Sequence, residues 1–301
     1  MDLIAQPLVS LVLGDSNPGQ IQSAPGGVAR NVAENLARLG QAAHLFSVVG
    51  DDALGQSLLG RTRSVGVDVS AVQTVLGGTT STYLSIHSAQ GELEFAINDM
   101  ALLEKLTPTL LQSQAAVLRA ARAIVVDANV SDATLAYLLG TGFGKPVYAD
   151  AVSVAKCSRL KPWMAALHLL KVNRLEAQAL SGATVHTTAD ALAACRCLRE
   201  QGARQVVVSL GADGVCWIDV DGTEGHCPAA SVAVLNVSGA GDALLAGLVF
   251  GHVQGWALAP SVAFAAACAE LTLGHRGANA PNLSVASAQA QLATRHTSRS
   301  I

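Results

Sequence analysis

Four short apolar runs, at residues 123–127, 146–150, 168–172 and 205–210, recur through the second half of the chain with helical stretches between them. Runs of that length read as strands, and strands alternating with helices fold into a mainly parallel sheet covered by helices. The caps agree: Ser131 opens one intervening helix, Thr188 opens another and Gly202 ends it. The expected class is therefore α/β, a three-layer α/β/α sandwich. Asp127, Asn129, Asp150, Asn173 and Glu176 all fall at or just past the C-terminal ends of these runs. Open α/β sheets bind their ligands at that edge. A single polar residue there means little, but five are hard to dismiss as solvated loop.

Elsewhere the signals are more varied. Residues 14–19 are turn-rich, and Pro25-Gly26-Gly27 leads into a helix at 28–39 with Val28, Val32, Leu36 and Leu39 on one face and Gly40 closing it. A strand is expected at 44–50 and a helix at 55–65. Residues 79–87 and 92–97 read as two strands joined by Ser88-Ala89-Gln90-Gly91. A hairpin inserted into an α/β chain serves as a lid, an oligomer contact or both. Residues 102–122 read as helical with a break near Pro108. Turn signals at 211–214 and 221–222 bracket an antiparallel strand at 215–220, and helices follow at 242–251 and 260–273. With no linker or repeat, residues 1–301 are expected to form one domain, with lid elements around 79–98 and 8–24.

The chemistry a chain can do is narrowed by its charge. A net charge of −3 without a basic block argues against a nucleic-acid binder that relies on phosphate contacts. No apolar run is long enough to cross a bilayer, and residues 3–13 lack the flanks of a signal peptide. The six cysteines are scattered, without zinc-ligand spacing, as reduced core thiols of a cytoplasmic protein would be. There is no G-x-x-x-x-G-K-[ST] loop, no early G-x-G-x-x-G and no G-x-S-x-G elbow.

What remains is Gly239-Ala240-Gly241-Asp242 at the head of an Ala/Leu-rich helix. The first N–H groups of a helix have no intrahelical partner and attract anions, with the helix dipole behind them. Asp242 in that turn either complements the dipole or accepts a proton from an attacking hydroxyl. Asn173 and Glu176 make a helix cap with an acid three residues on, or ligands for a metal. Ser209, Gly211 and Gly214 are an ordinary hairpin turn, or a phosphate loop. Lys171 at a strand end is solvated, or steers phosphate.

Taken together, Gly26-Gly27 with Asn31, Asn173-Arg174-Leu175-Glu176, and Val237-Ser238-Gly239-Ala240-Gly241-Asp242 resemble the signatures of the ribokinase (PfkB) family of sugar and nucleoside kinases. Asp15–Gly19, Gly26–Asn31, Ala96–Met100 and Lys171–Ala177 look like the branch of that family acting on pseudouridine. The resemblance implies a ribokinase-like sandwich with a β lid that also makes a homodimer, and phosphoryl transfer from ATP to the nucleoside's 5′-hydroxyl. Asp242 would be the general base, and the N–H groups of Gly239, Ala240 and Gly241 would meet the transferring group. Asp2, Asn17, Gly26, Gly27, Asn31, Asn129 and Lys171 would face the substrate. Ser209, Gly211, Gly214, Gly239, Gly241, Gly277 and Asn279 would hold ATP, and Asn173 and Glu176 would hold Mg²⁺ largely through water. A monovalent cation, K⁺, is a further family cofactor, but Asn236 stands where many relatives carry an Asp. Asp2 aligns with an Asp that in the family ends the first, Gly-rich strand; neither that strand nor its Asn is found ahead of it.

Overall fold

The structure, a computed structural model, describes residues 1–90 and 92–297. Its elements begin with β1 (Asp2–Pro7), β2 (Gly19–Ala24), α1 (Val28–Arg38), β3 (Ser47–Gly50), α2 (Ala53–Ser64), β4 (Val72–Val75), β5 (Thr82–His87) and β6 (Leu93–Asp99). The middle comprises α3 (Pro108–Ser113), α4 (Ala115–Ala120), β7 (Ile124–Asp127), α5 (Asp132–Thr141), β8 (Val147–Asp150), α6 (Val154–Cys157), β9 (Leu169–Asn173), α7 (Arg174–Ser181), α8 (Thr188–Glu200) and β10 (Gln205–Ser209). The chain continues through β11 (Val215–Ile218), β12 (Glu224–Cys227), α9 (Ala240–Val253), α10 (Leu258–Leu273) and α11 (Val285–Thr297).

The central sheet runs β12-β11-β10-β9-β8-β7. Strands β7 to β10 are parallel, and β11 and β12 add antiparallel, as the turn signals around 215–220 require. Alternation along each strand sorts side chains into two cores. Val147, Ala149, Leu170, Val172, Val206, Val208, Cys216 and Ile218 enter one. Tyr148, Leu169, Val207, Val215 and Trp217 enter the other, where they meet Leu244, Leu245, Leu248 and Val249 of α9. Both faces are covered, which is why these strands read as continuous apolar runs. Helix α9 is buried from Asp242 to Gly251. Its Gly247 and Gly251 face Ala265 and Ser261 of α10, where an added Cβ would come within 2.5 and 2.3 Å, so the two helices pack closely.

A second sheet, β2-β1-β5-β6, is the lid. It differs in makeup from the expectation. Besides the hairpin at 79–98 it takes β1, in parallel with β5, while residues 8–18 form a loop and only 19–24 pair. The sequence of β1, Asp-Leu-Ile-Ala-Gln-Pro, alternates weakly and becomes a strand because β2 and β5 flank it. Gly91, in the expected hairpin turn, lies outside the described residues. The helical stretch at 102–122 is interrupted at Pro108 as expected: a 3₁₀ helix over Ala101–Lys105 ends before it, and Pro108 starts α3 with Thr107 as its cap, because proline suits a first helical position. One smaller expectation needs correction: the cap of α8 is Thr187, paired with Asp190 in a capping box, and Thr188 is the first helical residue. The strands β3 and β4 form a separate parallel pair.

Candidate active site

Strand ends, the start of α1 and the start of α9 converge on one place. Gly239 caps α9 with φ +80, and the first intrahelical bond is donated by Ala243 to the Gly239 carbonyl, at 2.9 Å. The N–H groups of Ala240, Gly241 and Asp242 precede that bond and point out of the helix end, an anion-binding arrangement. Side chains are excluded there by contact. A Cβ on Gly239 would lie 1.8 Å from the Ala278 carbonyl oxygen, and one on Gly241 would lie 2.6 Å from Lys171 Nζ. The first of these contacts brings the 277–279 loop to the helix end, and the second sets an ammonium beside it.

Asp242 is buried, and Asn31 Nδ2 donates to its Oδ2 at 2.6 Å. Burial and then the charge of Asp150 push its pKa up to about 7, against the Asn31 hydrogen bond and Lys171. A carboxylate poised there exchanges a proton near neutrality, the property required of a general base. The amide of Asn31 is held by Arg30, which donates to its oxygen and so leaves the NH₂ for Asp242. Arg30 is itself buried, with Glu34 Oε2 2.6 Å away.

Lys171 sits in the middle of β9, not at its end as the sequence suggests, and is a buried cation 2.9 Å from Asp150 Oδ2. Burial works against its charge, but the nearby carboxylates, Asp150 first and then Asp242 and Glu176, raise its pKa. The solvated reading of this lysine is thereby excluded. Asp127 is buried and pushed up by burial, although Asn129 and Ala29 donate their N–H groups to it at 2.8 and 3.0 Å. Those bonds join the end of β7 to the start of α1. Asn129 in turn accepts from Lys156 Nζ at 2.6 Å. Asp2 closes the pocket from the lid: a Cβ on Gly26 would come 2.1 Å from its Oδ1, so glycine is required for that approach. Burial also raises the Asp2 pKa, against the N-terminal ammonium and Arg30.

The structure thus brings Asp2, Gly26, Gly27, Asn31, Lys171 and Asp242 together. Asn173 and Glu176 sit one turn away as a full capping box. Glu176 accepts from the Asn173 N–H at 2.8 Å and its side-chain amide at 2.7 Å, and the Glu176 N–H is capped at 2.9 Å. Among the described residues there is no cluster of three or more potential metal ligands. One carboxylate that keeps a lone pair on each oxygen suits an Mg²⁺ that arrives with a nucleotide and retains its waters. Ser209 pairs with Asn173 across β10 and β9, which sets the Gly211–Gly214 turn beside that box. A Cβ on Gly214 would meet the Cys227 carbonyl oxygen at 2.2 Å.

Two expected residues lie elsewhere. The side chain of Asn17 closes its own loop through Val12 and Asp15. It borders the lid face carrying Ala5, Ile21, Ile86 and Phe95, opposite the face of Asp2. Asn279 spends its amide on α1, through the Asn31 carbonyl, Asn35 Oδ1 and Arg30. Arg30 and Lys156 are not marked by the sequence, and Asp150 is marked there only as a strand-end residue, with no role given. For Arg30 the available signal was the Glu34 four residues on, an ion-pair spacing on a helix.

A helix end for an anion, a neutral-range carboxylate and a lidded polar pocket define a phosphotransferase site. Residues 2–285 match the pfkB family of carbohydrate kinases, and the chain belongs to that family of ATP-dependent sugar and nucleoside kinases. It is 41% identical to the pseudouridine kinase of Escherichia coli over 277 residues, covering 92% of this chain and 88% of that one. It is 38% identical to an uncharacterized sugar kinase of the same organism over 269 residues, covering 89% and 74%. The Arabidopsis thaliana ribokinase complexed with ribose and ATP superposes with a TM-score of 0.87 at 21% identity, covering 97% and 95%, which confirms the ribokinase-like fold. Kinases of this family use ATP and Mg²⁺. Among the described residues no helix is long and apolar enough to cross a membrane.

Proposed function

We propose that this chain transfers the γ-phosphoryl group of ATP to the 5′-hydroxyl of pseudouridine, in the cytoplasm, as one kinase domain. The observation that carries the mechanism is the buried Asn31–Asp242 contact, 2.6 Å long, at the mouth of an open helix end. Asn31 occupies Oδ2 and leaves Oδ1 of Asp242 to accept the hydroxyl proton. A primary alcohol is a poor nucleophile until that proton has a destination, and such a base is worth a factor of about 10²–10⁴. As the alkoxide oxygen bonds to phosphorus, the bond to the leaving ADP breaks. Negative charge on the transferring group is met by the N–H groups at the start of α9 and by Lys171, each such donor worth a factor of about 10²–10³. Bound Mg²⁺ would neutralise the polyphosphate, with Glu176 and Asn173 contacting its waters.

On the acceptor side, Asp2, Gly26, Gly27, Asn31 and Asn129 hold the ribose, with Asn17 reaching it only if its loop turns over. On the nucleotide side, Ser209, Gly211, Gly214 and Gly277 line the polyphosphate path, and Asn279 acts through α1. For K⁺ the support is weaker: Asn236 uses its side chain on the Arg276 carbonyl and the Ser238 N–H, and it brings no charge. The base preference rests on the likeness to the E. coli pseudouridine kinase. A homodimer through the lid is supported by its outer face, where Ile21 and Ile97 are 77% and 60% exposed.

The test is ADP release with Mg-ATP and pseudouridine, with uridine, ribose and fructose in parallel. Turnover on pseudouridine alone, lost in Asp242→Asn, is the expected result. Preferred turnover of another acceptor would keep the mechanism and overturn the substrate.

A further inference from the structure

Arg30, Asn31, Asn35 and Arg38 share one face of α1, and together they hold the segment at 279–281. Arg30 Nη2 donates to Asn279 Oδ1 at 2.5 Å. Asn279 Nδ2 donates to the Asn31 carbonyl at 3.0 Å and to Asn35 Oδ1 at 2.9 Å, and Arg38 Nη1 donates to the Pro281 carbonyl at 2.7 Å. The preceding residue, Ala278, sets its carbonyl against Gly239 at the head of α9. The same helix head carries Asp242, which accepts from Asn31. The contacts therefore close a ring: Asp242 to Asn31, Asn31 to Arg30, Arg30 to Asn279, Ala278 to Gly239, and back along the first turn of α9.

Within this ring one nitrogen does two things. The Nη2 that Arg30 gives to Asn279 is the one it gives to Asn31 Oδ1. A guanidinium is planar and its N–H groups have fixed directions, so the aim of one bond fixes the aim of the other. Stability alone does not account for the arginine. Glu34 already pairs with Arg38 at 2.7 Å, and among the described residues Arg30 Nε is buried without a hydrogen-bond partner. A buried charge with an idle donor costs free energy. What Arg30 supplies is polarity: with its N–H on the Asn31 oxygen, the Asn31 NH₂ faces Asp242. The field at Asp242 also includes Asp150 of β8, Lys171 of β9 and Asp127 of β7, and Asp2 of β1 feels the charge of Arg30.

We propose that Arg30 is a positioning residue through which the 278–281 segment acts on Asp242, tying the orientation of the Asn31 amide to the loop that backs the head of α9. With the segment seated, the amide presents its NH₂ to Asp242 and favours the carboxylate. With the segment displaced, Arg30 loses one of its anchors and the amide is free to turn its oxygen to Asp242. That oxygen repels the carboxylate and accepts from the protonated acid, so the acid is favoured. Whatever seats or unseats this loop at the anion-binding helix head thereby changes the readiness of Asp242 to take a proton. The consequence for turnover rests on the reading of Asp242 as general base; the link itself does not.

The test is a titration of Asp242 in the unliganded full chain by carboxyl carbon-13 NMR, with Asp242→Asn to assign the signal. The proteins compared are the parent, Arg30→Met, Asn279→Ala and the double variant. The parent midpoint is expected near 7. Arg30→Met should raise it by about one pH unit, and Asn279→Ala by about half of that. The double variant should match Arg30→Met alone, because the effect of Asn279 then has no carrier. A midpoint unmoved in Asn279→Ala, or shifts that add in the double variant, overturns the proposal. Asn279→Ala exchanges one neutral side chain for another, so a loss of charge cannot mimic the result. Should Arg30→Met fail to fold, Asn279→Ala alone decides. The acid limb of kcat/KM for the acceptor should move with the NMR midpoint. A midpoint that moves while the limb stays would remove Asp242 as the base and leave the link standing.

Discussion

The proposed acceptor pocket has two walls of opposite character. On one side Asp242 stands at the head of α9, a helix buried from residue 242 to 251 and locked to α10 at Gly247 and Gly251. On the other side Asp2 stands at the start of a four-stranded lid whose outer face is in solvent. The lid joins the body through a small knot: Asp52 accepts from both the N–H and the hydroxyl of Thr80, at 2.8 and 2.6 Å, and Thr80 Oγ1 accepts from the Gly50 N–H at 3.0 Å. The proposed base and phosphoryl cradle must be held to a fraction of an ångström, and they sit where local opening is costly. The proposed acceptor contacts must admit and release a substrate, and they sit on the solvent-facing lid. On that reading chemistry and selectivity are separable in this molecule.

The largest expected effect tests the rigid wall at its centre. Asp242→Asn keeps the shape and the Asn31 neighbour but removes the base, and kcat should fall by about 10²–10⁴. The same variant should be more stable than the parent at pH 8. Burial raises the folded pKa of Asp242 from 3.8 to about 7, so the folded chain holds an extra proton between those values. The parent is thus most favoured below that window. It loses stability as the pH rises through about 7, by at most roughly 1.4 kcal/mol for each pH unit crossed inside the window. Denaturant midpoints at pH 5 and pH 8 check this: a stability gain for Asp242→Asn that is clearly larger at pH 8 is expected, and an equal gain at both would remove burial as the cause.

Next in size is Gly239→Ala. The new methyl would meet the Ala278 carbonyl oxygen at 1.8 Å, at a φ of +80 that alanine resists. Either the 277–279 loop retreats or the first turn of α9 unwinds. A loss of about 2 kcal/mol in stability and of about tenfold or more in kcat follows, since one misdirected donor costs at least that. An unchanged kcat would show that the cradle tolerates movement and would blur the contrast between the walls.

Asn31→Ala sharpens the contrast at the seam. Asn31 lowers the Asp242 pKa by donating to the ionised form. Its removal should move the acid limb of the kcat/KM profile upward, from about pH 7, while KM for the acceptor also rises. A change in KM alone would assign Asn31 wholly to the acceptor side.

The two walls also differ in how far the sequence discloses them. The strands at 124–127, 147–150, 169–173 and 205–209 were legible because burial on both faces makes each a continuous apolar run. The cradle was legible because small residues ahead of an apolar helix have few other uses. Strand β1 was not, since its pairing is conferred by β2 and β5, the latter about 80 residues away. Arg30 was hidden for the same kind of reason. On an amphipathic helix a lone arginine reads as solvated, and its burial depends on Asn279, 249 residues on. Local periodicity reports which face an element buries; it does not report which distant polar group arrives to satisfy that face. The Asn279 amide, expected toward the nucleotide, turns to α1 because the carbonyl of Asn31 and the side chain of Asn35 need a donor there.

The smallest expected effect on the chemistry belongs to the lid's outer face. Strand alternation puts Leu3, Ala5, Ile21, Ile86, Phe95 and Ile97 on one side of the lid and Asp2, Ser85 and Asn98 on the other. Ile97 stands opposite Leu84 and is 60% exposed. If two lids meet through this face, Ile97→Lys buries a charge in the contact and the protein should become monomeric, as sedimentation would read. Asp242 and the helix end lie on the other wall, so kcat at saturating acceptor should change less than about twofold. KM for the acceptor should rise, because a lid without a partner relies on its own contacts to the body, among them the Thr80–Asp52 knot and the Asp2–Gly26 approach, to hold it closed. A monomer whose kcat collapsed would mean that the rigid wall depends on the mobile one, and the division between the walls would fail.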